Sequence, residues 1–255
     1  TSHEIQKVEV VDHEVLNGLL DREAVKQFRD SCLTPNKPVE RGSAQNDDVY
    51  FQAREAQNEY YERVPQIVSD YMDAISKACG REYHPFNYYG AKDATDVIIS
   101  MGSVNECINE VIDYKLKNGE KVGAINVHLY RPFSVEFLKK ALPATVKRIC
   151  VLDRTKEPGA PGEPLYLDVK AAFYGEENAP LIIGGRYGLS SKDTTPAQIF
   201  AVYKNLAKGE NALDHFTVGI NDDVTHLSLE LEEEINVAGE NASQLVFWGL
   251  GSDGT

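Results

Sequence analysis

The feature that most constrains the fold of this chain is a regular alternation of short apolar runs and amphipathic segments between residues 96 and 220. The segments between the runs carry apolar side chains at helical spacing. Apolar strands that alternate with helices are typical of a mostly parallel sheet covered by helices on both faces. We therefore expect a doubly wound α/β domain over residues 89–220. Its predicted strands are residues 97–101, 121–130, 149–152, 181–183 and 216–220.

The predicted helices of this domain begin at recognisable start signals. A Ser or Thr followed three residues later by Glu or Gln has the spacing of a capping box, and Pro is favoured at the first helical position. These signals place helix starts between the predicted strands. They are Ser103 with Glu106, Thr195 with Pro196 and Gln198, and Ser134 as a single N-cap.

The flanks of the domain have a different character. Residues 1–11 are predicted to be extended, residues 21–32 form a short helix, and residues 64–79 form a longer one with Pro65 near its start and Gly80 after its end. Residues 221–243 are an acidic, solvated linker. Residues 244–248 are predicted to be a buried strand that leads into a Gly-rich turn.

Composition and charge exclude several classes of protein. The net charge of −14 argues against nucleic acid as a partner, because phosphate binding needs basic clusters. No apolar run approaches the roughly 18 residues of a membrane helix, so we expect a soluble protein with no membrane partner. Four cysteines lie far apart without a C-x-x-C pair, which favours reduced, structural thiols. They are Cys32, Cys79, Cys107 and Cys150.

Ionisable side chains concentrate at residues 153–157, directly after a predicted strand. Ligands of open parallel sheets bind at the carboxyl ends of strands. Arg154 and Lys156 could hold an anion there, or the segment could form local ion pairs or contact another domain. No nucleophile or acid–base pair accompanies them. We predict neither a catalytic residue nor a metal site, although Asp222 and Asp223 follow a strand.

The Gly-rich end of the chain is the best ligand candidate. Residues 249–254 match the pattern G-x-G-x-x-G and follow a predicted strand, which is compatible with phosphate binding or with a simple tight turn. A strand and turn of this type normally lead into a helix, and the chain begins without an initiator Met. We therefore expect an internal piece of a larger protein.

Several segments together resemble the pyruvate:ferredoxin (flavodoxin) oxidoreductase family. They occur in the order found in the family and extend across nearly the whole chain. The segments are TSHE at residues 1–4, RGSAQN at 41–46, SMGS at 100–103, LYRPF at 129–133, residues 151–162, GRYGL at 185–189, FTVGI at 216–220 and residues 247–255.

The resemblance implies how the chain is divided. Residues 1–20 would be the tail of a thiamine-site domain, residues 21–88 a helical connector, and residues 89–220 a domain similar to the transketolase C-terminal domain. Residues 221–243 would be the acidic linker. Residues 244–255 would open the coenzyme A-site domain.

The resemblance also implies a function for the parent enzyme. Members convert pyruvate and coenzyme A into acetyl-CoA and carbon dioxide while reducing ferredoxin or flavodoxin. They use thiamine diphosphate, magnesium and [4Fe–4S] clusters, and are usually cytoplasmic homodimers. In this chain the match extends only to one side of the coenzyme A site. The implied contacts are Gly251, Ser252, Asp253, Gly254 and Thr255.

The chain alone is then expected to be a positioning segment without activity or a bound cofactor. Its partners would be the remaining domains of the parent enzyme. Two alternatives stay open at this point: a stand-alone α/β module that binds a nucleotide or a partner, and a segment of an oxidoreductase acting on another 2-oxo acid.

Overall fold

The structure of the chain is a computed structural model that describes residues 8, 10–38, 42, 44–231, 235–239, 242–243 and 245–251. Eight α-helices and six strands lie in this part of the chain. The helices are α1 His13–Gly18, α2 Arg22–Asp30, α3 Asp47–Glu55, α4 Asn58–Cys79, α5 Val104–Lys117, α6 Val135–Ala141, α7 Pro164–Ala172 and α8 Pro196–Ala207. The strands are β1 Phe86–Gly90, β2 Asp96–Ser100, β3 Val122–Val127, β4 Arg148–Asp153, β5 Leu181–Arg186 and β6 Phe216–Thr217.

The six strands form one sheet in the order β1-β3-β2-β4-β5-β6. All neighbouring pairs are parallel except β1 with β3. The predicted mostly parallel sheet is therefore confirmed. The antiparallel edge strand β1 was not predicted, because its sequence FNYYG carries no apolar run. The last strand is shorter than predicted and ends at Thr217.

Two hydrophobic cores cover the two faces of the sheet. Alternate residues of the strands point to opposite faces, so Ile98 packs against α5 and α8 while Ile99 packs against α6 and α7. Ile108 of α5 and Leu165 of α7 are fully buried in these two cores. The helices lie on both faces as expected, which is the doubly wound arrangement.

Only some of the predicted helix caps form. The Ser134 hydroxyl accepts a hydrogen bond from the Phe137 N–H at 3.4 Å, and Pro196 occupies the first position of α8. Ser103 and Thr195 make no side-chain cap hydrogen bond, so both predicted capping boxes are absent. Ser103 has helical backbone angles instead of the extended ones that are typical of a capping residue.

The helices before the sheet bury few side chains. The short helix α2 was predicted, and the Asp21 carboxylate caps it by accepting the Ala24 N–H at 2.9 Å. Helix α4 begins at Asn58, earlier than predicted, and contains Pro65 within it. The predicted Gly80 does end α4 in the left-handed conformation, with a φ of 68°. A single side chain of α4, that of Ser69, is buried among the helix residues described.

The predicted buried strand near the Gly-rich end is wrong for the residues that the structure describes. Residues 245–249 are irregular, and Phe247 and Trp248 are 89% and 94% exposed. A strand needs a neighbour to satisfy its backbone hydrogen bonds. No described strand lies beside this segment, which explains why the β-prone sequence does not form one.

Candidate functional site

The carboxyl ends of the parallel strands lie along one edge of the sheet, and the loops that follow them form the candidate site. In open α/β sheets this edge is where ligands bind. The side chains at the strand ends are Ser100, Asn126, Asp153 and Arg186. The polar edge expected from the sequence is therefore present.

Asp153 at the end of β4 is buried and holds the start of α7. Its carboxylate accepts hydrogen bonds from the Leu165 N–H at 3.1 Å and the Tyr166 N–H at 3.0 Å. Burial raises the pKa of Asp153, and these two hydrogen bonds oppose that rise. Because both oxygens serve the helix N-terminus, Asp153 anchors the loop between β4 and α7 rather than facing a ligand.

The cations of the segment at residues 153–157 are engaged in local contacts. The Arg154 Nε donates to the Gly188 carbonyl at 2.8 Å. The Lys156 Nζ lies 3.9 Å from the Glu163 carboxylate, which also lies 3.5 Å from the Arg186 guanidinium. Glu163 and Arg186 are both buried. These pairs favour local ion pairing over anion binding by Arg154 and Lys156.

A hydrogen-bonded polar network joins the ends of β2 and β3. The Ser100 hydroxyl donates to the Asn105 carbonyl oxygen at 2.9 Å, and the Asn105 amide donates to Asn126 at 3.0 Å. Asn126 in turn lies 2.9 Å from Nε2 of His128. Sequence analysis missed this network. The sequence feature that could have indicated it is a polar residue near the end of each of two apolar runs, Ser100 in β2 and Asn126 in β3.

The loop after β3 closes over α7 through an ion pair. Nη2 of Arg131 lies 2.8 Å from the Asp168 carboxylate, and the guanidinium stacks 3.9 Å from the Tyr130 ring centre. Burial, followed by the hydrogen bond to Asp168, raises the pKa of Tyr130 to about 12. The predicted loop residues Tyr130 and Arg131 are therefore used in packing this loop.

Asp214, a residue that sequence analysis missed, joins β5 to α7. Its carboxylate accepts the Gly184 N–H at 2.7 Å and the Tyr166 hydroxyl at 3.0 Å. Burial, followed by the charge of Asp214, raises the pKa of Tyr166. A lone Asp before a strand carries no distinctive sequence signal.

The structure describes one of the five predicted coenzyme A contacts. Gly251 has a φ of 119°, a backbone angle that favours glycine. Ser252, Asp253, Gly254 and Thr255 lie outside the described residues, as do residues 1–7. The Gly-rich turn therefore stays a prediction.

Within the described ranges, no group of three or more His, Cys, Asp or Glu side chains is placed to hold a metal ion. None of the cysteines in those ranges forms a disulfide. These residues do not fit a magnesium site or an iron–sulfur cluster, so we assign no reaction step to either. None of the described helices is long and apolar enough to cross a membrane.

The thiols differ sharply in accessibility, which gives a testable prediction. Cys32 is exposed, whereas Cys150 is fully buried in the sheet, and burial raises the pKa of its thiol. Since the thiolate is the reactive form, a disulfide reagent at pH 8 should label Cys32 quickly and Cys150 only after denaturation. Peptide mass spectrometry after timed quenching measures both rates. Labelling of Cys150 in the native chain at the rate of Cys32 would contradict the buried position.

Two family models match the chain. The model described as pyruvate:ferredoxin oxidoreductase core domain II matches residues 94–199. The model described as pyruvate flavodoxin/ferredoxin oxidoreductase, thiamine diP-bdg, matches residues 1–73. The first covers most of the α/β domain, and the second covers α1 to α3 and most of α4.

Individual relatives match over the whole chain. It is 56% identical over 256 residues to the pyruvate-flavodoxin oxidoreductase of Enterobacter agglomerans and 51% identical over 255 residues to the pyruvate:ferredoxin oxidoreductase of Moorella thermoacetica. In both cases it spans 22% of the relative's length. A solved 2-oxoglutarate:ferredoxin oxidoreductase from Magnetococcus marinus is 18% identical, with a TM-score of 0.46. The matched region is 67% of this chain and 27% of the solved chain. This likeness is too low to bear on function.

Proposed function

This chain belongs to the pyruvate:ferredoxin/flavodoxin oxidoreductase family, and we propose that it is an internal segment that positions the cofactor-bearing domains of such an enzyme. The parent enzyme would convert pyruvate and coenzyme A into acetyl-CoA and carbon dioxide and pass electrons to ferredoxin or flavodoxin. Thiamine diphosphate, when bound, supplies the carbanion chemistry of such a reaction. We assign no catalytic group to this chain. Its contribution is a rigid sheet with loops that are already satisfied by internal contacts.

The observation that carries this proposal is the exposed apolar surface of the helices before the sheet. Large exposed apolar side chains that lie together often mark a surface that a partner covers. Phe28 of α2 and Phe51 of α3 are each 74% exposed. Since this chain spans only 22% of the length of its relatives, the remaining domains of the parent polypeptide are the partner that we propose for this surface.

Helix α4 carries the most regular part of that surface. Its inward face holds half-buried side chains, among them Val68 and Met72. Tyr60, Ile67 and Tyr71 lie on a second face, at spacings of seven and four residues, and all three are exposed. An apolar sector wider than the part that a helix already buries favours contact with a further neighbour. We name these three residues the outer stripe of α4.

Replacing the outer stripe tests the positioning role. Changing Tyr60, Ile67 and Tyr71 together to Ser should alter the free energy of unfolding of this chain by less than about 1 kcal/mol, because surface substitutions cost little. In the full-length polypeptide the same changes should lower the thermal midpoint and the rate of pyruvate- and coenzyme A-dependent viologen reduction. Differential scanning fluorimetry and the viologen assay measure the two effects.

A matched control uses exposed polar residues of the same helix. Glu62→Ser, Gln66→Ser and Lys77→Ser remove comparable side chains without touching the outer stripe. This control should leave the full-length polypeptide unchanged. If stripe and control variants behave alike in the full-length polypeptide, the stripe is not an interdomain surface.

We also propose that residues 251–255 form one wall of a coenzyme A site in the parent enzyme. Support comes from the family match and from the Gly-rich sequence pattern, because the backbone N–H groups of Gly-rich turns in general suit phosphate. The opposite wall would belong to the following domain. The remaining alternatives are a segment of an enzyme for another 2-oxo acid and a stand-alone binding module.

The parent enzyme is further proposed to be a homodimer in the cytoplasm, as the family resemblance implies. Sedimentation of the full-length polypeptide tests the dimer. A monomer across the micromolar range would contradict it.

A further inference from the structure

We propose that the outer edge of β1 binds an extended segment of the parent polypeptide, which adds a further strand to the sheet beside a cleft between α4 and α6. The inference rests on the proposed function, because the segment would belong to the part of the polypeptide outside this chain. It concerns the α/β domain itself, whereas the outer stripe of α4 belongs to the helices before the sheet.

Strand β1 lies at one end of the sheet, with β3 on one side and no described strand on the other. In an antiparallel pair, every second residue directs its N–H and C=O groups towards the partner strand. The Pro85 carbonyl accepts the His128 N–H at 3.0 Å. The Ala91 N–H donates to the Val122 carbonyl at 3.0 Å. The odd-numbered residues of this segment therefore face β3.

The even-numbered residues of β1 face away from the sheet and lack backbone partners. By the same alternation Asn87 and Tyr89 face β3, whereas Phe86, Tyr88 and Gly90 face outwards. None of the described residues forms a backbone hydrogen bond with Tyr88 or Gly90 on this outer side. Phe86 is buried, while Tyr88 and Gly90 are only half-buried. The edge that a partner can reach is therefore that of Tyr88 and Gly90.

Strand β1 lacks the features that usually protect a free edge. Natural edge strands avoid further pairing by means of Lys, Pro, inward-pointing charges or bulges. The sequence of β1, FNYYG, contains no charged residue and no proline. Its pairing with β3 is continuous over residues 86–90, without a bulge. Such an edge suits the addition of a strand, in which backbone hydrogen bonds give affinity and side-chain pockets give specificity.

A cleft of about 430 Å³ lies beside this edge and can receive a side chain of the added strand. Its floor includes Phe86 and Tyr88 of β1, which pack in one hydrophobic core with Phe137 and Ala141 of α6. The rim carries ionisable groups of both signs. They are Asp73, Glu82, His84 and Lys140. An apolar floor under a rim of mixed charge favours an uncharged aliphatic or aromatic side chain.

The remaining part of the parent polypeptide is the occupant that fits this edge. This chain spans 22% of the length of its relatives from Enterobacter agglomerans and Moorella thermoacetica, so most of such a polypeptide lies outside it. A segment of the same polypeptide meets the edge at a high effective concentration. A short contact at Tyr88 and Gly90 is then sufficient, whereas a separate peptide would need a longer edge.

Residue-resolved hydrogen exchange of the full-length polypeptide tests this contact. The inward amides of β1, those of Asn87 and Tyr89, bond β3 and should exchange slowly in any case. The outward amides, those of Tyr88 and Gly90, should also exchange at least about a hundredfold more slowly than unprotected amides, because the added strand would bond them. If the outward amides exchange like unprotected ones while the inward amides are slow, the edge is free and the proposal is overturned.

Filling the cleft tests whether the added strand uses it. Ala141→Leu enlarges a half-buried side chain of the cleft and should speed exchange of the outward amides in the full-length polypeptide about tenfold, without changing the inward ones. Ala171→Leu, at an exposed position near the end of α7, is the matched control and should change neither set. Equal exchange rates in the two variants would contradict the proposed use of the cleft.

A photo-cross-link identifies the occupant, and it does not depend on whether Ala141→Leu folds. Tyr89 is 41% exposed and lies between the two outward amides. Tyr89→p-benzoylphenylalanine in the full-length polypeptide should cross-link to a segment outside this chain, which peptide mass spectrometry identifies. Cross-linking to residues of this chain in a second copy, or no cross-link, would overturn the proposal. A free edge combined with loss of activity in the outer-stripe variant would overturn this inference alone and leave the positioning role supported.

Discussion

Gly185→Ala is expected to destabilise the α/β domain by at least about 2 kcal/mol, the cost of overpacking a close-packed core. Gly185 lies in β5 directly beside Phe216 of β6, and a Cβ added there would overlap the Phe216 ring. That ring is fully buried, so it cannot move aside without opening the core between the sheet and α8. Guanidinium denaturation followed by circular dichroism measures the loss.

A control and a rescue variant separate this overlap from a general effect of alanine. A Cβ added at Gly18, at the end of α1, would point into open space, with no atom of a distant residue within 4 Å. Gly18→Ala should therefore change the free energy of unfolding by less than about 1 kcal/mol. Phe216→Leu shortens the side chain opposite Gly185, so the double variant should be more stable than the sum of the two single losses predicts. If the losses in the free energy of unfolding are strictly additive, the side chains at the two positions are not in contact.

Glu163→Gln is the second change with a large expected effect. Its carboxylate is the buried counterion of the Arg186 guanidinium, at 3.5 Å. Removing one partner of a buried pair leaves an uncompensated charge and typically costs about 3–5 kcal/mol. Because Lys156 also faces this carboxylate, the loop between β4 and α7 should become more sensitive to proteolysis as well. Urea denaturation and limited trypsin digestion measure the two effects.

An exposed neighbour and a paired variant serve as controls for Glu163→Gln. Glu157→Gln lies in the same loop but is exposed, so it should be nearly neutral. Glu163→Gln combined with Arg186→Met removes both charges and should recover part of the loss. If Glu163→Gln is as mild as Glu157→Gln, the buried pair does not hold this edge of the sheet.

The sequence was sufficient to predict the central sheet because the pattern of apolar residues in the sequence matches the residues that the strands bury. Residues such as Ile98 and Ile99 lie in apolar runs that only a strand covered on both faces can bury. The edge strand β1 escaped prediction since its pairing with β3, not its own pattern, makes it a strand. Local sequence has little influence where a long-range partner decides the structure.

The predicted helix starts also show that tertiary contacts can override the local sequence pattern. Ser134 caps α6 as predicted, but Gln198 has the capping spacing and instead lines a cleft against Gly219. Residues 245–248 have the composition of a strand but lack a neighbour. The candidate site was predicted as an edge of polar loops, whereas the network around Asn105 and the contacts of Asp214 depend on tertiary positions that spacing does not reveal.

Calorimetric titration of coenzyme A, into this chain and into a polypeptide extended through the following domain, tests most directly whether the chain is a positioning segment. We predict measurable binding by the extended polypeptide and none by this chain, since half of the proposed site would lie in the following domain. Binding by neither would remove the coenzyme A assignment of residues 251–255. Tight binding by this chain alone would contradict the positioning role and favour a stand-alone binding module.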